Sequence, residues 1–169
     1  YLHVAKANRI AYFDIRPENL HLKSRIKRGE GEQYEKLAEG AAVVVHEGGL
    51  KFHIYPDNWL DTGLFLDHRN LRARVREMAK EKKVLNLFSY TGSFSVYAAA
   101  GGAALVHSVD LSAKYLGIVE ENLKLNSLVS VPHEQFRLDA REFLADAKPD
   151  FYDIIVCDPP VFSKSRKQA

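Results

Sequence analysis

The chain predicts an α/β fold, a parallel sheet covered by helices, with a small β-rich appendage at its amino-terminal end. Three observations carry this. Short apolar runs (VLNLF, LVHSV, FRLD, DIIVC) alternate with helical patterns (SFSVYAAAGG, LSAKYLGIVEENLKLN, AREFLADAK). The segments joining them are short, as in successive βαβ units. Polar residues recur where each predicted strand ends, the edge at which open α/β sheets bind ligands.

Taken in order, residues 1–60 form the appendage and residues 61–169 the amino-terminal portion of the sheet domain. RIAYFDI reads as a short strand, and KRGEGEQYEKLAEG as an exposed polar segment. AAVVVHEGGLKFHIYP reads as a hairpin, with strands Val43–Val45 and Phe52–Tyr55 about a Gly48-Gly49 turn. Trp59 and Tyr55 read as core or hinge packing, with stacking on RNA as the alternative. In LDHRNLRARVREMAKEKK, Leu71, Val75 and Met78 fall at i, i+4 and i+7, the spacing of a helix face set among Arg and Lys. The later helices carry their own punctuation: Gly101 and Gly102 after SFSVYAAA, and Ser112 as the cap of the next helix. The alternation stops after DPPVFS, where only about half of an open doubly wound sheet has been traced. With no initiator Met, the sequence reads as a fragment.

Composition narrows the classes. A hydrophobic fraction of 46% supports a buried core. No apolar run reaches the roughly 18 residues of a membrane span, and no signal-peptide pattern opens the chain. One cysteine fits a reducing, cytoplasmic setting. The net charge of +2 permits a nucleic-acid partner without requiring one. Basic residues cluster in HLKSRIKRG, HRNLRARVR and SKSRKQA. The seven histidines show no metal-ligand spacing, so no metal is expected.

The strand ends carry the chemistry. The first closes in Ser89-Tyr90-Thr91-Gly92, the second in Asp110, the third in Asp139 and the fourth in Asp158-Pro159-Pro160. Asp110 follows Gly92 by 18 residues, near the roughly 20-residue offset of an acid that accepts both ribose hydroxyls. That offset fits NAD and S-adenosyl-L-methionine alike. A pyrophosphate needs G-x-G-x-x-G so that backbone amides can approach it. SYTGSF offers one glycine and several hydroxyls, which suits the zwitterionic tail of S-adenosyl-L-methionine better. An NAD-binding oxidoreductase remains the alternative.

DTGLFLDHR, LNLFSYTGSFSV, NLKLN and DPPVFS, with the upstream KSRIKRGEGEQYEKL, resemble the bacterial 23S rRNA guanine methyltransferases. The resemblance covers roughly residues 20–165 and is strongest to the guanine-N7 methylating half of the large bifunctional enzyme. It implies a Rossmann-like class I methyltransferase sheet, truncated after about its fourth strand, acting on 23S rRNA or a large-subunit precursor. It further implies that Asn86, Phe88, Ser89, Thr91 and Gly92 line the methionine end of the cofactor. Asp110 would hold the ribose beside Leu111 and Ser112, and Asp139 and Ala140 would lie at the adenine. Asp67 and Arg69 would approach the cofactor from the side, unless Asp67 merely caps the following helix and pairs with Arg69. Asp158, Pro159 and Phe162 would form the catalytic wall against the target base.

Guanine N7 carries a free lone pair, so its methylation needs alignment and desolvation rather than a base. Asp158 can accept from a base edge and Phe162 can stack on the ring. Cytosine-C5 methylation would need a cysteine nucleophile. The sole candidate, Cys157, is expected to face the core. A small-molecule or protein substrate, and a non-catalytic RNA-binding fragment, are further readings.

Overall fold

The structure is a computed structural model and describes residues 12, 14–21, 40–58 and 61–160. The expected strand RIAYFDI lies mostly outside these residues, as do the polar KRGEGEQYEKL segment and Trp59. The chain divides into two compact units, residues 1–42 with 55–62, and residues 43–54 with 63–169. In the first, a short 3-10 turn spans Pro17–Asn19. There His21 Nδ1 lies 2.7 Å from Asp57 Oδ1, and the Gly40 amide donates to Asn58 Oδ1 at 2.9 Å.

The second unit opens with the hairpin, β1 (Val43–Glu47) and β2 (Leu50–Ile54), antiparallel with Glu47 opposite Leu50. Gly48 and Gly49, at φ +59° and +78°, make the two-residue turn. The hairpin, grouped by sequence with the appendage, here shares a compact unit with the parallel sheet. A 3-10 turn (Leu66–His68) leads into α1 (Arg69–Met78). The rest alternates β3 (Lys83–Leu87), α2 (Ser93–Ala100), β4 (Leu105–Val109), α3 (Ala113–Leu125), β5 (His133–Phe136), α4 (Ala140–Asp146) and β6 (Ile154–Cys157).

The four strands β3 to β6 form one parallel sheet in the order β5-β4-β3-β6. The chain moves outward from β3 to β5 and then returns to pair β6 beside β3. Strand order therefore reverses at the carboxyl ends of β3 and β6. Because β3 and β4 are covered on both faces, they read as nearly continuous apolar runs. On one face Val84, Val106 and Val156 pack with Phe94, Tyr97, Val119 and the hairpin's Leu50 and Phe52. On the other, Leu85, Leu87 and Val109 meet Ala140 and Phe143 of α4. The helix α2, which lies on the first of these faces, is buried at Phe94 through Ala99. That position explains why it is apolar almost all round, with the buried Ser95 hydrogen-bonded to Asn86 and Ser108. A Cβ on Gly101 would collide with the Arg76 carbonyl, so this glycine lets the ends of α1 and α2 meet.

Two expectations are corrected. The buried face of α1 is Arg72, Val75 and the following Ala79, while Leu71 and Met78 are about half exposed (52% and 54%). The buried arginine redirects the helix. Arg72 Nε and Nη2 donate to Glu47 Oε1 and Oε2 at 2.8 and 2.9 Å, and the guanidinium lies 6.0 Å from the ring centres of both Phe94 and Tyr97. A bidentate partner makes burial of this charge tolerable, which periodicity of apolar residues does not register. Second, the third strand is HEQF rather than FRLD. Among the described residues it is an edge strand paired only with β4, and its mixed exposure leaves a weak apolar signal. Among the described residues no helix is long and apolar enough to cross a membrane.

Candidate functional site

The loop after β3 is held in an unusual backbone conformation. Phe88, Tyr90 and Gly92 have φ of +54°, +50° and +76°, a left-handed cluster of the kind stored at functional sites. It persists because the surroundings over-determine it. The Ser89 amide donates to the Val109 carbonyl at 3.0 Å, and the Gly92 amide to the Ser89 carbonyl at 2.8 Å. Thr91 Oγ1 donates to the Gly63 carbonyl at 2.5 Å, and the Thr91 carbonyl accepts from Asn122 Nδ2 at 2.9 Å. Asn122 also accepts from the His53 amide through Oδ1 at 2.9 Å, joining the loop to β2 through α3. A Cβ on Gly92 would lie 2.6 Å from Val119 Cγ1, so glycine is required both sterically and conformationally.

Asp110, at the end of β4, faces this loop. Its Oδ2 accepts from the Tyr90 amide and its Oδ1 from the Ser112 amide, each at 2.9 Å. Burial pushes its carboxyl above the usual range, and these two amides only partly counter that. Each oxygen keeps a lone pair for a further donor. The Ser89 hydroxyl is buried without a hydrogen-bond partner among the described residues. Tyr90 stacks edge-on to Tyr115 (4.6 Å) and tilts against Phe65 (5.6 Å).

The other sequence candidates divide by position. Ser112 caps α3, its hydroxyl accepting from the Tyr115 amide at 3.3 Å, while Leu111 beside it is 64% exposed. Asp139 caps α4 by accepting from the Arg141 amide at 2.9 Å, a bond that holds its carboxyl low, and Ala140 is buried. Phe88 packs partly against the Leu85 and Phe143 cluster. Asn86 is buried in the sheet instead: its amide donates to Ser95 Oγ at 2.9 Å. From Ser95 the polar chain continues to Ser108 Oγ (2.7 Å) and His133 Nε2 (2.9 Å). Asn86 thus braces the strand that precedes the loop.

Asp67 does not cap α1. The cap position is His68, without a side-chain capping bond, and Asp67 is exposed. Arg69 is the first residue of α1 and is also exposed. Asp158 and Pro159 follow β6 and are exposed, and Phe162 lies outside the described residues. Cys157 is exposed rather than buried. Among the described residues β6 is an edge strand, and its alternation turns Ile154 and Val156 to the packed face and Ile155 and Cys157 to the open one.

The structure brings the LDHR segment and the DPP turn together through a residue that spacing did not single out. His68 Nδ1 lies 3.3 Å from Asp158 Oδ2, and its Nε2 lies 3.8 Å from Asp67 Oδ2. No local signal marks this contact, because its partners are far apart in sequence. Among the described residues, no group of three or more His, Cys, Asp or Glu could hold a metal ion.

Comparison with known proteins places this architecture. Residues 20–167 match the family described as S-adenosylmethionine-dependent methyltransferase. The chain is 47% identical over 156 residues to ribosomal RNA large subunit methyltransferase K of Neisseria meningitidis, covering 90% of this chain and 44% of that protein. It is 46% identical over 154 residues to ribosomal RNA large subunit methyltransferase K/L of Alteromonas mediterranea, covering 90% of this chain and 22% of the relative. The chain therefore spans less than half the length of either relative. Among solved structures, the SAM-dependent methyltransferase of Agrobacterium tumefaciens superposes with a TM-score of 0.65 at 32% identity, over 75% of this chain and 42% of that one. A protein assigned as a methyltransferase and solved with SAH gives 0.70 at 34% identity, over 76% and 35%. With its sheet order, its glycine-pivoted loop and its acid at the next strand end, the chain belongs to the S-adenosylmethionine-dependent methyltransferase family.

Proposed function

We propose that the protein transfers a methyl group from S-adenosyl-L-methionine to a guanine of 23S rRNA, at N7. The observation that carries this reading is Asp110. It is half-sheltered, each oxygen is already oriented by a backbone amide, and it faces the Ser89–Gly92 loop at the crevice where strand order reverses. That donor set fits the cofactor. A carboxylate with a free lone pair on each oxygen can accept two ribose hydroxyls, and the Ser89 hydroxyl supplies an uncommitted polar atom. The names of the two ribosomal RNA relatives support the RNA substrate.

In this reading Ser89, Thr91 and Gly92 form the turn around the methionine end, with Phe88 and the bracing Asn86 behind it. Leu111, Ser112, Asp139 and Ala140 border the nucleoside end, and Asp67 and Arg69 stand at its side. The bound cofactor supplies an electrophilic methyl on a sulfonium. The chain's part is to align a base and exclude water. Asp158 accepts from the base edge, Pro159 shapes the turn and Phe162 stacks on the ring. The residues before the hairpin belong to an accessory region facing RNA, in which Arg25, Lys27 and Arg28 are the groups expected to neutralise phosphates. Reversing their charges should weaken rRNA binding and flatten its salt dependence.

Mass spectrometry of rRNA from a deletion strain tests the assignment. Loss of one N7-methylguanine, restored by complementation, is the expected result. The exposure of Cys157 beside Asp158 favours one second reading, cytosine-C5 methylation with Cys157 as nucleophile. Loss of a C5-methylcytosine in the same experiment would establish it and sink the guanine assignment.

A further inference from the structure

We propose that His68 is a positioning residue that fixes the Asp158 carboxylate at the mouth of the site, an inference that rests on the methyltransfer reading above. Asp158 opens a turn with few means of tethering itself. Pro159 and Pro160 have no N–H to donate, and β6 has ended at Cys157. Among the described residues, the only ion-pair partner within reach of the Asp158 carboxylate is His68, at 3.3 Å between Nδ1 and Oδ2.

The imidazole, by contrast, is mounted on rigid parts. It sits at the start of α1, its ring centre 5.9 Å from that of Phe94 and 6.4 Å from that of Phe65. Phe94 in turn touches Arg72, one helical turn beyond His68, whose guanidinium is anchored on Glu47 of the hairpin. Phe65 and Phe94 of α2 thus flank the imidazole, Phe94 is linked through Arg72 to the hairpin, and the imidazole faces the turn. With Oδ2 turned toward His68 Nδ1, Oδ1 has no partner among the described residues and can accept from the N–H edge of a base. Guanine offers such donors at N1 and N2, where adenine has no N1–H. His68 would therefore act on selection of the base through Asp158, without touching it.

Three substitutions in the intact protein separate positioning from packing. His68→Phe keeps a ring between Phe65 and Phe94 but has no donor, His68→Asn keeps a donor near the Nδ1 position, and His68→Ala removes both. The expected result is a loss of about tenfold in kcat on 23S rRNA for the Ala and Phe variants. SAH affinity by calorimetry should stay within about twofold, and the Asn variant should recover most of the rate. The ring-nitrogen resonances of His68 should also change when Asp158→Asn is introduced. Full activity in all three variants, recovery by Phe but not by Asn, or unchanged resonances would each overturn the proposal. If the wild-type protein binds SAH but methylates no guanine, the substrate reading fails, and the resonance measurement still decides the contact.

Discussion

Two clusters of buried polar groups within the larger unit show what separates a brace from a site. In the first, Glu47 accepts two bonds from Arg72 and one from Tyr97 at 3.0 Å, and two aromatic rings flank the guanidinium. Burial works to raise the Glu47 carboxyl, but the bonds from Arg72 and Tyr97 outweigh it and hold it below the ordinary range. The same burial and the same carboxylate push the Tyr97 hydroxyl up to about 12. Only Arg72 Nη1 lacks a hydrogen-bond partner among the described residues, and it belongs to the group that faces the rings. In the second cluster, around Ser89 and Asp110, the backbone is twisted into left-handed conformations, one hydroxyl is unpartnered, and a carboxyl is raised by burial. The first has spent its bonding capacity on the fold. The second has kept some in reserve, which is what a ligand requires.

If that distinction is right, damage to the first cluster should appear in stability and damage to the second in binding. The largest effect is expected for Glu47→Leu, which strands the Arg72 charge and should cost about 3–5 kcal/mol in urea unfolding. The double variant Glu47→Leu with Arg72→Met should recover much of that loss. SAH affinity of the folded fraction should change by less than about threefold, as expected for separated sites. A large affinity loss would erase the contrast.

Gly92→Ala bridges the two regions, because its Cβ meets Val119 of the core while its φ of +76° shapes the loop. It should destabilise by about 1–3 kcal/mol and weaken SAH binding by more than about tenfold. Measuring both by thermal unfolding and calorimetry would show whether strain in the loop is coupled to the cofactor.

For Asp110→Asn the expected loss is confined to binding, about tenfold to a hundredfold in SAH Kd, as for a hydrogen bond to a charged group. Since burial raises the Asp110 carboxyl, protonation begins at a higher pH than for an ordinary aspartate. SAH affinity of the wild type should therefore fall on acidification from above the usual carboxylate range, while the Asn variant shows a flat profile over that interval. An identical pH profile in both would remove Asp110 from the cofactor site.

The smallest effect tests a buried polar chain that is closed like the first cluster. Burial, aided by the neighbouring His107, lowers His133 from 6.5 to about 4. Its neutral form is favoured by folding, so its stabilising contribution is complete above 6.5 and is lost as pH falls toward about 4. After allowance for partial solvent contact, His133→Gln should remove about 1 kcal/mol of acid sensitivity across that window. Unfolding curves at several pH values would measure it.

Where strands and helices repeat their periodic signals, sequence and structure agree closely. β3, β4, β6, α2, α3 and α4 lie where the alternation puts them, Ser112 caps its helix, and the hairpin turns at Gly48-Gly49. The disagreements share one cause. Arg72 is buried because Glu47 waits for it in another element, and HEQF is a strand because β4 offers it a ladder. Cys157 is exposed among the described residues because it lies on the face of β6 opposite the packed Val156. Each outcome depends on a partner supplied from elsewhere in the fold, which a local pattern does not contain.

The sequence by itself determined the fold class and the loop at its centre. An apolar run, one glycine among hydroxyls and an acid 18 residues later are local facts, and backbone chemistry makes them legible. Tertiary structure alone decided which polar atoms stayed free. Whether Asp110 keeps a lone pair, whether Asn86 faces inward and whether His68 reaches Asp158 depend on distances between elements remote in the chain. Hydrogen bonds act over about 3 Å, so only the packed fold settles which of those groups are satisfied and which are left for a ligand.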